Sequence, residues 1–279
     1  MIIALQYFKE DRERTLTLAR LLADIEPSSR GDVLLALICR PDTPPSRYDS
    51  LTLRHCEKKF PTAMITSPRN TCTWPESCGD LWAGTMDHFS KSFENGTSKH
   101  HSIFTVDGGD GVPLHQNWIN LLSVEHDRTV SSGKLITGTP SKLGYSPLHI
   151  NPNMTSHLSI WQKVPSLRTT PRSDGTILTH FDIYHRRAML TSASLSSVVL
   201  TDWKGDSNKI GLELIQLKSR KSVWLHGYKD DNLYEVAQEH LSAPNLPPPT
   251  LERYRLDQLH TMESAMAWSS NRRKLHANP

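Results

Sequence analysis

Short apolar runs alternate with amphipathic stretches over the first third of the chain. The runs Ile2–Tyr7, Asp32–Arg40 and Ala63–Thr66 are typical of buried strands, because apolar residues follow one another without a polar face. Between them, Arg12–Ile25 carries apolar residues at three- and four-residue spacing and predicts a helix, as does Leu51–Lys59. Alternation of strand and helix indicates a parallel sheet covered by helices.

The pattern continues with less regular spacing towards the C-terminus, and prolines and glycines become frequent between residues 126 and 180. The proline-rich segment 243–249 predicts an extended linker. The further predicted helices are Asp80–Phe93, Asn117–Val124, Asp182–Ser192, Ser196–Trp203, Asp231–His240 and Leu251–Leu275, and the further predicted strands are Ser102–Val106 and a run beginning at Val223.

Composition restricts the class of protein without changing this picture. With 37% hydrophobic and 22% charged residues and a net charge of +3, the chain is typical of a folded domain in water. No apolar run reaches the roughly 18 residues of a membrane span, and the first residues lack the pattern of a signal peptide. Four irregularly spaced cysteines indicate reduced thiols, so we expect a cytoplasmic protein.

Two carboxylates occur together in the sequence DGGDG, where Asp107 and Asp110 follow a predicted buried strand. Ligands of open α/β sheets bind outside the carboxyl ends of strands, and glycine lets the backbone approach a ligand closely. Carboxylate oxygens suit hard divalent cations, which in turn hold phosphate oxygens. Taken alone, the segment is equally compatible with an ordinary polar turn, because Asp-Gly pairs are common in turns.

A second polar segment, LHGYKD, ends the strand predicted to begin at Val223. His226 is a candidate third metal ligand, and Lys229 is a candidate phosphate ligand acting as a point charge. A partly buried histidine and a solvated lysine are the structural alternatives. The two polar segments lie more than a hundred residues apart, so only the fold can bring them to one place.

The strand followed by DGGDGVPL and by a helix containing Trp118, together with the late LHGYKD, resembles the DxD region of GT-A-fold glycosyltransferases. The resemblance implies a GT-A-like (Rossmann-like) α/β fold, with a mixed, mainly parallel sheet flanked by helices. It implies a nucleotide-sugar-binding half over residues 1–125, an acceptor half over 126–242, and a linker with a helical tail over 243–279. The chain departs from the family pattern at position 108, where glycine replaces an acid and the spacing becomes Asp-x-x-Asp.

The same resemblance implies a glycosyltransferase (EC 2.4) that uses Mn²⁺ or Mg²⁺ and a nucleotide-sugar donor, with a UDP-sugar favoured. Asp110 is then the principal metal ligand and His226 the second, and Asp107 completes the site or binds the ribose. Lys229 neutralises the diphosphate. Tyr7 is a candidate for stacking on the nucleobase, with a buried core tyrosine as the alternative.

Candidate acceptor-side residues follow in the second half of the chain. Asp182 and Asp202 are candidate catalytic bases, since an inverting enzyme needs a carboxylate to deprotonate the acceptor hydroxyl. Asp182 is equally compatible with an N-cap. His149, Asn151 and Trp203 are candidate acceptor-binding residues in the irregular region and beyond it.

Basic residues are frequent between residues 40 and 101 and recur at 185–187 and 272–274, which would suit a nucleic-acid backbone. The chain resembles phage enzymes that glycosylate hydroxymethylated pyrimidines, including hydroxymethylcytosine, so double-stranded phage DNA in an infected bacterium is the leading acceptor hypothesis. A saccharide or lipopolysaccharide acceptor is the main competitor. A nucleotide-binding module without catalysis and a nucleotidyltransferase remain alternatives, and the oligomeric state stays open.

Overall fold

The computed structural model describes residues 1–69, 76–141, 147–169, 180–201, 210–230, 232–243 and 246–259. It confirms the predicted α/β class, because a large and mainly parallel sheet is flanked by helices. In this part of the chain no helix has both the length and the apolar character needed to cross a bilayer. Cys39, Cys56 and Cys78 are free thiols, as predicted, and Cys72 lies outside the described residues.

The first half forms a parallel sheet core in which β1 lies centrally. Strand β1 pairs in parallel with β2 on one side and with β4 on the other, and β2 pairs with β3. Strand β1 and helix α1 have the predicted bounds. The elements of this half are β1 (Ile2–Tyr7), α1 (Arg12–Ile25), β2 (Leu34–Cys39), α2 (Arg47–Cys56), β3 (Thr62–Thr66), α3 (Glu76–Glu94) and β4 (Ser102–Asp107).

Helix α2 begins four residues earlier than predicted because a capping box starts it. The Ser46 side chain and backbone both contact the Asp49 carboxylate, which satisfies donors that the first turn of a helix leaves free. Asp49 is fully buried beside β1. The cap therefore also places the Asp49 carboxylate in the buried layer between α2 and the sheet.

Strand β1 is buried on both faces, which explains its continuous apolar sequence. Ile2 and Ala4 belong to the hydrophobic cluster that includes Trp82 of α3. Ile3 and Leu5 belong to the cluster on the opposite face, formed with α1 and with the later helix that contains Trp118. Burial on both faces fixes the register, and with it the level at which each strand ends.

The second half widens the main sheet and adds smaller ones. The main sheet has eight strands in the order β13-β10-β6-β9-β4-β1-β2-β3, in which β9 and β13 run against their neighbours. The elements are β5 (Gly111–Pro113), α4 (Trp118–Ser131), β6 (Ile136–Gly138), β7 (Pro140–Ser141), β8 (His149–Ile150), β9 (Met154–His157), α5 (Ile160–Lys163), α6 (Phe181–Tyr184), α7 (Arg186–Ser192), β10 (Ala193–Ser196), β11 (Val199–Thr201), α8 (Leu212–Ser219), β12 (Trp224–His226), α9 (Leu233–Leu241) and β13 (Arg253–Tyr254).

The helix predicted over Ser196–Trp203 is wrong. Strands β10 and β11 occupy its described residues, and β11 joins β12 and β5 in a three-stranded sheet. Val198, Val199 and Thr201 are β-branched and fit a pleated, half-buried surface, which outweighs the helical spacing. Helix α8, by contrast, has no counterpart among the predicted elements.

The helix predicted over Leu251–Leu275 is wrong at its first residues. Residues Arg253–Tyr254 form an edge strand antiparallel to β10, where the sequence predicts a helix from Leu251. Arg253 also contacts the buried Glu125 of α4 at 3.3 Å. The segment that follows the proline linker therefore completes the main sheet, and residues 260–279 lie outside the description.

Candidate active site

The DGGD segment forms a tight turn at the carboxyl end of β4. Asp107 is the last residue of that strand, and Gly108 and Gly109 adopt φ angles of +66° and +63°. The Gly108 amide donates to the Gln6 carbonyl of β1, 3.0 Å away, which ties the turn to the sheet. Two consecutive left-handed residues reverse the chain and deliver Asp110 to the start of β5.

Pairing of β5 with β12 brings the two polar segments together. Gly111 lies opposite His226 in this antiparallel pair, so Asp110 stands beside the imidazole. The His226 Nε2 atom is 3.0 Å from Asp110 Oδ1, and both side chains are buried. The amide of Gly227 also donates to the Asp110 carbonyl at 3.0 Å. The fold thus unites residues that are more than a hundred positions apart.

The electrostatics of this centre are those of crowded carboxylates. Burial, together with the neighbouring charges of Asp110 and Asp11, raises the pKa of Asp107 to about 7. Burial alone would lower the pKa of His226, but Asp110 and then Asp107 more than offset this and raise it. Since like charges accumulate here, a cation at this position would relieve their repulsion.

Residues from the second half of the chain face the same centre. Asp182 of α6 acts electrostatically on both Asp107 and His226, and it lies 3.3 Å from the Nε2 atom of His149 in β8. Cys78 of α3 lies among these acids: burial, and then Asp107 and Asp182, raise the pKa of its thiol. The fold therefore gathers candidates that the sequence places in separate regions.

Asn151 lies in the turn between β8 and β9. Its side-chain carbonyl accepts hydrogen bonds from the backbone and side-chain amides of Asn153, each at 2.9 Å. Thr105 and Met154 are paired in the ladder between β4 and β9, which places this turn near the carboxyl end of β4. Asn151 thus shapes the turn beside the site.

Lys229 and Asp11 form the side of the site nearest α1. Lys229 is exposed, and it is the first of the charges acting on Asp11, although burial dominates and raises the pKa of that carboxyl group. Asp11 directly precedes α1 and lies next to Gly108. The sequence analysis missed Asp11, and its position after the end of β1 is the signal that points to it.

The donor set fits a divalent cation in part. Asp110 supplies carboxylate oxygens and His226 an imidazole nitrogen, and the two buried side chains approach to 3.0 Å. Throughout the described ranges, no group of three histidine, cysteine, aspartate or glutamate residues is spaced to hold a metal ion. The pair would therefore provide two protein ligands to such a cation, and further ligands would have to come from Asp107, from water or from the bound substrate.

The comparisons with known proteins find distant likenesses of fold. The sequence matches no protein-family profile and no curated protein. Solved structures that it resembles include TarS 1–349 of S. aureus (8% identity, TM-score 0.48, covering 84% of this chain and 62% of that one), the galactosyltransferase LgtC in complex with donor and acceptor sugar analogues (8%, 0.48, 88% and 98%) and mouse xyloside xylosyltransferase 1 (11%, 0.45, 81% and 96%). The chain thus spans less than two thirds of the TarS fragment. With TM-scores below 0.5, what this chain does is inferred from its own residues.

Tyr7 does not take the position that nucleobase stacking requires. The ring is fully buried, and its hydroxyl donates to Asp49 Oδ1 at 2.6 Å. The core alternative is therefore what the structure shows, because a ring enclosed between the sheet and α2 offers no free face to a base. Asp202 and Trp203 lie outside the described residues.

Several of the basic residues that suggest a nucleic-acid-binding surface instead make contacts within the protein. Arg40 is buried and pairs with Asp42 at 3.1 Å, and Arg69 pairs with Asp87 at 2.7 Å. His185, within the cluster at 185–187, is also buried. The basic residues of this group that remain exposed are Arg47, Arg54, Lys58, Lys91, Lys99, His101 and Arg187, while residues 272–274 lie outside the description.

Proposed function

We propose that the chain is a metal-dependent glycosyltransferase that moves a sugar from a nucleotide-sugar, with a UDP-sugar favoured, to an acceptor hydroxyl. The observation that carries this proposal is the buried contact of 3.0 Å between Asp110 Oδ1 and His226 Nε2. The pair lies at the carboxyl end of β4, where α/β sheets bind ligands, with Asp107 beside it.

Asp110 and His226 would hold Mn²⁺ or Mg²⁺, and Asp107 would complete the ligand set or bind the ribose. When bound, such an ion supplies positive charge to the diphosphate leaving group as the sugar departs. Lys229, exposed after β12, adds a second positive charge for the same phosphates. A site rich in carboxylates needs both contributions, since it would otherwise repel a diphosphate.

The acceptor half supplies the remaining roles. Asp182 acts electrostatically on Asp107 and, together with Asp202, is a candidate for the base that takes the acceptor proton. His149 contacts Asp182, and Asn151 shapes the adjacent turn, so both help to form the acceptor side. Trp203 is proposed as a further acceptor contact from its sequence position alone.

For the acceptor, we propose a hydroxymethylated pyrimidine in double-stranded phage DNA, modified in the cytoplasm of the infected bacterium. The support is the group of exposed basic residues in and just after α2, namely Arg47, Arg54 and Lys58, which can contact phosphates without breaking internal ion pairs. The target base would have to be reached from the groove or flipped out of the stack.

Ligand-dependent stability tests the donor side directly. We would titrate UDP, GDP and UDP-sugars with and without Mn²⁺ and follow thermal unfolding of the wild type, of Asp110→Asn and of the control Asp127→Asn. Asp127 is an exposed acid of α4, so the control makes the same chemical change away from the site. A ligand at a hundredfold excess over its Kd adds ~2.7 kcal/mol to the free energy of unfolding.

The expected result is a Mn²⁺-dependent stabilisation by one nucleotide, kept in Asp127→Asn and lost in Asp110→Asn. No stabilisation of the wild type by any nucleotide with metal would overturn the proposal. Once a donor is found, sugar transfer to hydroxymethylated DNA is compared with transfer to unmodified DNA and to oligosaccharides. Transfer to an oligosaccharide alone would replace the DNA hypothesis with the saccharide acceptor.

A further inference from the structure

Two arginines lie against the same buried tryptophan on the sheet face that α3 covers. The guanidinium carbons of Arg69 and Arg168 are each 5.6 Å from the centroid of the Trp161 ring, which is 4% exposed. Attraction between a cation and an aromatic face holds both side chains there. In addition, Arg168 Nε donates to the Trp161 carbonyl at 2.6 Å, and Arg69 Nη1 donates to the Arg168 carbonyl at 3.0 Å. The protein therefore fixes both guanidinium groups by its own contacts.

Asp87 is the carboxylate beside these cations, and both of its oxygen atoms are occupied. Oδ2 accepts a hydrogen bond from Arg69 Nε at 2.7 Å, and Oδ1 accepts one from the Trp161 indole at 2.8 Å. Arg168 is exposed and makes no ion pair with any carboxylate of the described residues. Because Asp87 neutralises Arg69, the charge of Arg168 remains available to an anion in solution.

The cationic surface continues onto α7 through one hydrogen bond. His185 Nε2 donates to the Thr169 carbonyl at 2.8 Å, so the residue after Arg168 adjoins the residue before Arg186. Arg187 is exposed and Arg186 is half-buried, and within the ranges that the structure describes neither makes an ion pair. Their positive charges therefore add to that of Arg168.

The same surface adjoins the candidate active site through α6. This helix carries Asp182, a candidate base, and Tyr184, whose ring is 50% exposed, and α7 with its arginines follows directly. The exposed basic residues of α2 lie on the other face of the sheet, because Cys56 of α2 and Trp161 belong to different hydrophobic clusters. Basic groups thus lie on both sides of the sheet that carries the site.

We propose that Arg168, Arg186 and Arg187 bind the phosphodiester backbone of a nucleic-acid acceptor, with Tyr184 contacting a base beside the site. The inference rests on the proposed transfer to DNA and adds a second phosphate-binding surface, on the sheet face opposite α2. Contacts to phosphates fix the position of a duplex on a protein. An aromatic ring exposed among arginines is suited to stack on a base that has left the duplex.

Salt-dependent binding tests this surface without a donor or sugar transfer. A labelled duplex containing hydroxymethylcytosine is titrated with the full chain at several salt concentrations, and binding is followed by fluorescence anisotropy. Each phosphate contact contributes about 0.9 to the slope of log K against log salt concentration. Arg168→Met/Arg187→Met should therefore reduce the slope by about 2 and weaken binding on the order of tenfold or more.

The matched control removes the same charge from the far side of the molecule. Lys99 and Arg220 are exposed and precede β4 and β12, the strands whose opposite ends form the site. Lys99→Met/Arg220→Met should therefore keep the slope of the wild type. Equal reductions of the slope in the two double variants would overturn the proposal, because net charge alone would then account for binding.

Three single variants separate charge, stacking and folding. Arg187→Met changes an exposed side chain and should reduce the slope by about 1 at unchanged thermal stability. Arg168→Lys keeps the charge and should keep the slope. Tyr184→Ala should weaken binding on the order of tenfold at an unchanged slope, because the ring carries no charge. A slope that Arg187→Met leaves unchanged would overturn the proposal even if Arg168→Met/Arg187→Met failed to fold.

The two levels of the argument fail in different measurements. Absence of DNA binding by a wild type that still binds a nucleotide with metal would overturn this surface and leave the glycosyltransferase function standing. Binding to vesicles of anionic phospholipid without binding to DNA would also overturn it. Absence of nucleotide binding refutes the glycosyltransferase function, whereas the salt slopes of the arginine variants still report on the surface.

Discussion

Replacing Gly109 with alanine tests whether the DGGD turn depends on close contact with α1. Gly108 and Gly109 both adopt left-handed backbone conformations, so alanine is strained at either position. They differ in the space around them. A Cβ atom at Gly109 would lie 2.7 Å from the Thr15 amide nitrogen and 2.8 Å from its Cα atom, whereas at Gly108 the nearest atom is Asp11 Oδ2 at 3.5 Å.

The expected costs follow from these contacts. Gly108→Ala should lower the free energy of unfolding by about 1 kcal/mol, which is the strain of a left-handed alanine. Gly109→Ala carries the same strain and must also displace α1 backbone, which cannot rotate away as a side chain can. Overpacking of this kind costs about 1–3 kcal/mol, so the total is about 3 kcal/mol. The Tyr234 hydroxyl, which donates to the Gly109 carbonyl, resists the same movement.

Urea unfolding of the two variants, with nucleotide binding measured in parallel, provides the comparison. We expect Gly109→Ala to be less stable than Gly108→Ala by about 2 kcal/mol and to bind the donor more weakly, because the shift moves Asp110 relative to His226. The Gly108→Ala variant controls for backbone strain alone. Equal stability of the two variants would refute the close packing of this turn on α1.

Three further predictions follow from buried and exposed groups. Tyr7→Phe should cost about 1.5–3 kcal/mol in urea unfolding, because Asp49 loses a donor, without changing nucleotide affinity; weaker nucleotide binding would restore a role for Tyr7 at the base. Burial, and then His157, lowers the pKa of His126 to about 4, so the unfolded chain binds this proton first and stability falls as the pH drops from about 6.5 towards 4. Between pH 7.5 and pH 5 His126 contributes about 2 kcal/mol to this loss, so the loss should be smaller by that amount in His126→Asn; an equal loss in that variant would contradict the assignment. Lys229→Met should weaken UDP binding on the order of tenfold, and unchanged affinity would exclude Lys229 from the phosphate site.

The first half of the fold could be predicted from the sequence because its signals are local. A strand buried on both faces must be apolar throughout, as Ile2–Tyr7 is, and a helix on that sheet must repeat its apolar positions, as Arg12–Ile25 does. The carboxyl-end rule then indicates Asp107 as a ligand-facing residue before any coordinates are known. These inferences need no knowledge of distant contacts.

The second half depends on contacts that local patterns do not encode. Strand β11 is three residues long and is held in place by pairing with β12. Without that partner, the spacing of its apolar residues predicts a helix. The meeting of His149 with Asp182 depends on how β8 and α6 pack, across 33 positions of sequence. The sequence leaves the role of Tyr7 open because the burial of its ring depends on α2. The capping carboxylate of that helix, Asp49, accepts the hydrogen bond from the Tyr7 hydroxyl.

The geometry of the turn accounts for the departure from the Asp-x-Asp pattern. Position 108, where the resemblance would place an acid, has a φ of +66°, a conformation that side chains other than glycine adopt only with strain. An acid there would also approach the carboxylate of Asp11. The additional residue lets the chain cross the start of α1 through Gly109 and enter β5 with Asp110 facing His226. The longer spacing therefore brings Asp110 to the position that β5–β12 pairing holds against the His226 imidazole, so the contact between the two side chains is set by the ladder and not by the turn.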